Sequence, residues 1–349
     1  MNAYSLLGRT GLRVSPFCLG AMTFGNADGW GAGESEALKI FDRYLGAGGN
    51  FIDTANIYAQ GESETLVGRF IAQRGARENV VLATKFSFAT ATGDPNAGGN
   101  GRKNIYRALD ASLKRLGTDY IDLYWLHAWD TLTPIEEVVE TIDDLVRAGK
   151  VRYFGLSDVP AWVMARAQTY AELRGRARVA ALQAEYSLLD RTLDTEHAAA
   201  CQELGVGICP WGPLGGGLLT GKYLKNGAEG RLSKDERSKN RIKSARNLRI
   251  VETLATIAEE IGRPAAQVAL NWVTRQPCVS STIIGVTRLV QLEDNLKALD
   301  FDIPPELAAR LDACSSQPKG HLYDFFEQPF LGRVLGARVS KTPNWERPS

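Results

Sequence analysis

Four residues early in the chain could together deliver a proton to a carbonyl oxygen. Phe51 and Ile52 form an apolar pair followed at once by Asp53, and Tyr58 lies five residues beyond it. That order suits a buried strand running out into a loop, with the carboxylate at the strand's end and the phenol above it. A phenol titrates near pH ~10, so it becomes a useful acid only if a nearby cation lowers its pKa. The next apolar run, 80–84, ends in Lys85, and the one after it, 121–126, ends in His127. A lone Asp or Lys after a strand is ordinarily a solvated loop residue, but three successive strand ends carrying proton-handling groups form a pattern. Lys85, held by Asp53 and set against Tyr58, is expected to stabilise the phenolate, and His127 to orient the carbonyl. No serine or cysteine nucleophile pairs with a base, which disfavours acyl transfer. A carbonyl that takes a proton also needs an electron source, and nicotinamide is the expected donor. Trp211 could stack on its ring, while Ser157 and Gln183 could bond its carboxamide.

Those residues need a frame that brings strand ends together. After a short hairpin turned between Gly8 and Gly11, which could plug one end of a barrel, the chain repeats strand then helix. Strands are expected at 17–19, 51–53, 80–85, 121–127, 153–157, 181–185, 206–210 and 281–284. Helices are expected between them at 34–45, 63–73, 104–116, 134–148, 161–171 and 196–204, and then at 250–261, 264–275, 289–298 and 306–314. Thr133-Pro134-Ile135-Glu136 matches a capping box with proline in the first helical position. Residues 212–247 interrupt the rhythm with clustered glycines and a basic, weakly apolar run that reads as a solvated loop. Strict alternation argues for a parallel sheet, and eight such units close into a (β/α)8 TIM barrel, an α/β fold. An open doubly wound sheet would announce a nucleotide site with G-x-G-x-x-G after its first strand, and that spacing is missing after Phe17–Leu19. In a barrel, Asp53, Lys85, His127, Ser157, Gln183, Trp211 and Gly285 all fall at the C-terminal mouth. Trp30, Phe86, Phe88 and Trp129 follow strands one, three and four there, and predict an apolar, aromatic-tolerant substrate pocket.

With 349 residues, 44% hydrophobic and 23% charged, and a formal net charge of +1, nothing suggests disorder or a polyanion-binding surface. Nucleic acid and membrane are not expected partners, since no apolar run approaches the ~18 residues of a span and the N-terminus lacks an export pattern. Five scattered cysteines (Cys18, Cys201, Cys209, Cys278, Cys314) read as buried free thiols in a reducing cytoplasm, and three histidines without ligand spacing give no metal site. A single domain over 1–349 is expected, with an irregular tail over 315–349 that helps shape the pocket.

Over almost its whole length the chain resembles the aldo-keto reductases. The likeness rests on Asp53-Thr54-Ala55 with Tyr58, Thr84-Lys85, Leu126-His127, Gly155-Leu156-Ser157, Gln183 through Ser187, Trp211 through Leu214, Leu219 through Lys222, and Gly285 through Asn295. The resemblance implies NADPH-dependent, reversible reduction of an aldehyde or ketone, with Tyr58 as general acid, Lys85 and Asp53 as its activators and His127 as orienter. It implies an NADP(H) site in which Ser157, Asp158, Gln183 and Trp211 surround the nicotinamide with Met22 and Asp53. Pro213, Leu214, Gly216 and Lys222 would follow the pyrophosphate, and Gly285, Thr287, Gln291, Asp294 and Asn295 the adenosine half. Arg288, a planar cation, is the candidate for the 2′-phosphate. Two departures stand out: many relatives read Ser-Asn where this chain has Ser157-Asp158, and Glu-Asn where it has Asp294-Asn295. The β subunits of voltage-gated potassium channels, cofactor-binding regulatory proteins, also resemble the chain, but they carry Asn where it has His127, which favours an enzyme. A barrel isomerase or hydrolase without nicotinamide would leave Trp211 and the 285–295 segment unexplained. Substrate identity, reaction direction and monomer or homo-oligomer state stay open at this level.

Overall fold

The structure is a computed structural model and describes residues 1, 3–25, 31–224, 236–318, 320–326 and 329–337. It opens with an antiparallel hairpin, β1 (Ser5–Leu6) and β2 (Arg13–Val14). Then come β3 (Phe17–Gly20), α1 (Glu34–Gly46), β4 (Phe51–Asp53), α2 (Glu62–Arg74), β5 (Val81–Phe86), α3 (Arg102–Leu116), β6 (Ile121–Leu126) and α4 (Ile135–Arg147). The chain continues through β7 (Val151–Ser157), α5 (Ala161–Arg174), β8 (Val179–Glu185), α6 (His197–Leu204), β9 (Gly207–Trp211), α7 (Glu236–Lys243), α8 (Ala245–Ile261) and α9 (Ala265–Thr274). β10 (Thr282–Ile284), α10 (Leu289–Leu296) and α11 (Pro305–Ser315) complete a first compact unit, Met1–Ser315. The second unit begins at Ser316 and contains the short helices α12 (His321–Asp324) and α13 (Phe330–Leu335). The expectation of a wholly irregular tail is therefore corrected, and Trp345 lies outside the described residues.

The eight long strands pair in parallel in the order β10-β3-β4-β5-β6-β7-β8-β9. A bridge between Ile208 of β9 and Val279, three residues before β10, brings the two edges together into a nearly closed TIM barrel. Along each strand successive side chains point to opposite faces. One set, with Leu19, Ile52, Leu82, Phe86, Tyr124, Leu156 and Leu182, packs outward with residues of the surrounding helices. The other, with Cys18, Phe51, Val81, Ala83, Leu123, Trp125, Ala181 and Cys209, fills the barrel's interior. Leu7 and Val14 of the hairpin are fully buried in that inner cluster, as a plug would be. Gly155 on β7 has no side chain where a Cβ would come within 2.3 Å of the Trp125 ring, so the barrel holds one large indole instead.

This alternation decides which strand-end residues face the mouth. Asp53 shares the inward parity of Phe51, Lys85 that of Val81 and Ala83, and Gln183 that of Ala181. Trp211 shares the parity of Cys209. Phe86 has the opposite parity and is fully buried, its ring 4.9 Å from that of Tyr124. It is a core residue and no part of the substrate pocket, which corrects the expectation.

Three local expectations also change. Thr133 does not cap α4: Pro134 is the N-cap, without a side-chain cap bond, and the helix begins at Ile135, while the Thr133 hydroxyl donates to the Asp130 carboxylate at 2.7 Å. The basic run expected to be loop contains α7, while 225–235 lie outside the described residues. Cys278 and Cys314 are only half-buried; all five thiols are free.

Candidate active site

Asp53 ends β4 and Lys85 is the last residue but one of the neighbouring β5, and each is buried. The Lys85 ammonium donates to Asp53 Oδ2, to the Thr54 carbonyl at 3.0 Å and to the Tyr58 hydroxyl at 3.1 Å, using all three of its hydrogens. On the other side of the phenol, His127 Nε2 lies 3.4 Å from the hydroxyl oxygen, and the two rings meet edge to face. The other Asp53 oxygen accepts from Gln183 Nε2 at 3.1 Å, a bond that spans the barrel from β8 to β4. The turn after Tyr58 is tightly wound: Ala59, Gln60 and Gly61 take φ of 45°, 56° and 92°, left-handed values that L-residues seldom hold.

Burial sets the protonation states. It raises the Tyr58 phenol above its ordinary value; the Lys85 charge pulls it down, while Asp53 and Asp158 push it up. Lys85 stabilises the phenolate, as expected, but desolvation outweighs it and the net shift is upward. Burial opposes the Lys85 charge, but Asp53 and Tyr58 together overcome that and hold the ammonium above its usual range. His127 is pushed down to about 2 by burial and then by the Lys85 charge, so its imidazole is neutral. Its Nδ1 is buried without a hydrogen-bond partner among the described residues.

Beside this cluster, Ser157 and Gln183 are buried and Trp211 is half-buried. Trp211 Nε1 donates to Asp158 Oδ1 at 3.1 Å, and Ser157 Oγ donates to Asp158 Oδ2 at 3.4 Å. Asp158 itself adopts φ 49°. Further along the mouth, Gly215, Gly216 and Gly217 form a turn of positive φ beside Lys222, whose Nζ would lie 3.5 Å from a Cβ added at Gly217. Lys222 and Arg288 are exposed.

The sequence profile of the aldo/keto reductase family matches residues 16–316. The chain belongs to that family. An uncharacterised oxidoreductase of Bacillus subtilis (strain 168), YrpG, is 40% identical over 330 residues, covering 91% of this chain and 97% of that protein. Norsolorinic acid reductase B of Aspergillus parasiticus is 38% identical over 313 residues, covering 84% and 79%. An aryl-alcohol dehydrogenase [NADP(+)] of Phanerodontia chrysosporium is 34% identical over 336 residues, covering 90% and 86%. The chain is an oxidoreductase of the aldo/keto reductase type.

Within this aldo/keto reductase the remaining predicted residues take varied positions. Met22 is half-buried just after β3, Pro213 is buried and Leu214 half-buried, and Gly285 is exposed at the end of β10. Gln291 turns inward: its Oε1 accepts from the Thr287 and Arg288 amides at 2.9 and 3.2 Å, closing the first turn of α10. Asp294 accepts from Gln267 at 2.8 Å, and Asn295 is buried. Phe88 is exposed and meets the His127 ring edge to face at 4.7 Å, while Trp30 lies outside the described residues. Trp129 pairs edge to face with Trp162 at 5.4 Å. Trp162, the second residue of α5, is not among the expected pocket residues, since the helix pattern carries no sign of its contact with Trp129. Sequence reasoning also missed Ser87, held at φ 114°, whose Oγ accepts from the His127 amide at 3.1 Å. No spacing in the sequence signals that role. Among the described residues no cluster could hold a metal ion, and no helix is long and apolar enough to cross a membrane.

Proposed function

We propose that the protein reduces aldehydes or ketones to alcohols, reversibly, with NADPH, and that Tyr58 is the proton donor. The observation that carries this reading is the Lys85 ammonium bonded at once to Asp53 and to a phenol that faces a neutral imidazole. The donor set suits a nicotinamide nucleotide: hydroxyl and amide groups at Ser157 and Gln183 for a carboxamide, a half-buried indole for a flat ring, and the exposed cations Lys222 and Arg288 for phosphates. When bound, the nicotinamide supplies or accepts the hydride. His127 meets the carbonyl oxygen from one side; with no acceptor at Nδ1, we assign the proton of its neutral ring to Nε2, which then donates to that oxygen. Tyr58 gives up its proton as negative charge builds on the same oxygen. A phenol with a raised pKa still suffices, because an alkoxide is a much stronger base than a phenolate. Lys85 then neutralises the phenolate left behind, and Asp53 keeps the ammonium charged.

The substrate class we favour is bulky aromatic or apolar carbonyls. Phe88 against His127 and the Trp129–Trp162 pair line one side of the mouth with ring edges, and one relative is named as an aryl-alcohol dehydrogenase. NADPH is preferred to NADH because Arg288 offers a 2′-phosphate a charge-assisted bond worth about 1.5–3 kcal/mol. A panel of carbonyls scored by loss of NADPH absorbance tests both points. Small hydrophilic aldehydes turning over best would remove the aromatic assignment. Equal dissociation constants for the two cofactors, or an unchanged NADPH affinity in Arg288→Ala, would remove the phosphate assignment.

A further inference from the structure

Among the described polar groups around Trp211, Asp158 is a carboxylate without an ion pair. Three charged or titratable groups act on it from other strands and loops. Lys85, near the end of β5, is committed to Asp53, and Glu185, at the end of β8, to Arg241 of α7. Tyr58 is a protonated phenol, and the His127 beside it a neutral imidazole. Asp158 receives hydrogen bonds from Trp211 Nε1 and Ser157 Oγ but forms no ion pair among the described residues. Its backbone is left-handed, φ 49°, and the bond from Trp211 Nε1 holds the carboxylate against the indole. An asparagine would fit that backbone equally well. The backbone does not require the charge.

We propose that this unpaired carboxylate makes the ring pocket select oxidised, cationic nicotinamide over the reduced, neutral form. The inference rests on the proposed nicotinamide site, with Trp211 against the ring. The two redox states of the ring have similar shape and differ by one positive charge, so a fixed negative charge one indole away is a direct discriminator. Coulomb attraction between unit charges several Å apart, screened as at a protein surface, gives a preference of about tenfold. At equal concentrations of the two forms the pocket fills with the oxidised one. It then stands ready to take hydride from an alcohol, and the oxidised cofactor becomes a strong product inhibitor of carbonyl reduction.

The carboxyl of Asp158 supplies a handle. Although solvent reaches part of it at the open mouth, desolvation by the protein around it pushes the carboxyl up to about 6, against the pull of its bonds from Trp211 and Ser157; Glu185 raises it further and Lys85 lowers it. The discrimination therefore fades as pH falls through this range. A 2′-phosphate titrates in the same range, but both forms of NADP carry it, so the ratio of their affinities isolates Asp158.

The test is equilibrium titration of the native protein and of Asp158→Asn with NADP+ and with NADPH, followed by calorimetry. In the native protein the preference for NADP+ should be about fivefold greater at pH 8 than at pH 5. Asp158→Asn should weaken NADP+ at pH 8 about tenfold while NADPH changes far less. A ratio independent of pH, or an equal loss of both forms in the variant, would overturn the proposal and leave Asp158 as an ordinary polar contact. If the variant fails to fold, the native pH series decides alone. Failure of the native protein to bind either form would instead overturn the proposed function.

Discussion

Tyr58 is buried with its hydroxyl between an ammonium and a neutral imidazole, and its pKa lies above the free value, so at any physiological pH it holds its proton. That is the state a donor needs before hydride transfer, and Lys85 acts after it, on the phenolate. Tyr58→Phe keeps the ring and its packing; kcat should fall by about 10²–10⁴-fold with NADPH affinity little changed. Lys85→Met should lose comparable activity and, in addition, about 3–5 kcal/mol of stability, because it strands the buried Asp53 carboxylate. Single-turnover kinetics and denaturant titration separate the two variants. A Tyr58→Phe enzyme that retained more than about a tenth of native kcat would show that another group donates the proton. His127, neutral down to about pH 2, is then a poor replacement acid. Asp53, Lys85 and His127 were legible in the sequence because each closes an apolar run, and the run's alternation sets inward parity. Phe86 was not, because nothing in the sequence marks that β5 continues one residue past Lys85 with its next side chain outward. The Gln183 bond to Asp53 joins residues 130 positions apart and exists only once the sheet has curled.

Helices carry the second tier of positioning, and glycines decide how closely they approach. Gly68 of α2 packs on the C-terminal end of α3: a Cβ there would lie 2.3 Å from the Leu116 carbonyl oxygen and 2.6 Å from its Cα. Backbone cannot swing aside as a side chain can, so Gly68→Ala must push α2 away, at a cost of about 1–3 kcal/mol. A denaturant midpoint equal to the native one would show that the two helices separate freely. Element order, type and approximate bounds were legible from periodicity, as the match of β4 at 51–53 shows. The start of α4 one residue later than the motif implies was not, because Asp130 precedes the motif and only the folded loop brings its carboxylate to the Thr133 amide and hydroxyl. α7 was hidden by composition: eight residues of almost wholly polar sequence give no apolar stripe to read.

Across the whole molecule, parallel closure of eight strands gathers groups that titrate in opposite directions onto one mouth, and their balance sets how the fold responds to acid. His127 is neutral in the folded barrel down to about 2 but takes a proton near ~6.5 when unfolded. Between those values the unfolded chain binds the extra proton, so stability falls as pH drops from ~6.5 toward 2. Asp158 works the other way: its folded carboxyl titrates at about 6 and its unfolded one near ~3.9. The folded state binds the extra proton in that window, so stability rises as pH drops from 6 toward ~3.9. The two slopes cancel over most of the range between about 4 and 6, and only the His127 loss remains below it. Removing one member should expose the other. Relative to the native protein, Asp158→Asn should lose about 1 kcal/mol more stability between pH 7 and pH 5, a figure trimmed from the full linkage value because solvent reaches Asp158. His127→Asn should lose correspondingly less over the same interval. Urea unfolding of the three proteins at both pH values gives the differences directly, and the many surface carboxylates common to all of them drop out of the comparison. Parallel pH dependence in all three would mean that neither group's folded environment departs from that of the unfolded chain, and the buried, charge-balanced mouth would have to be redrawn.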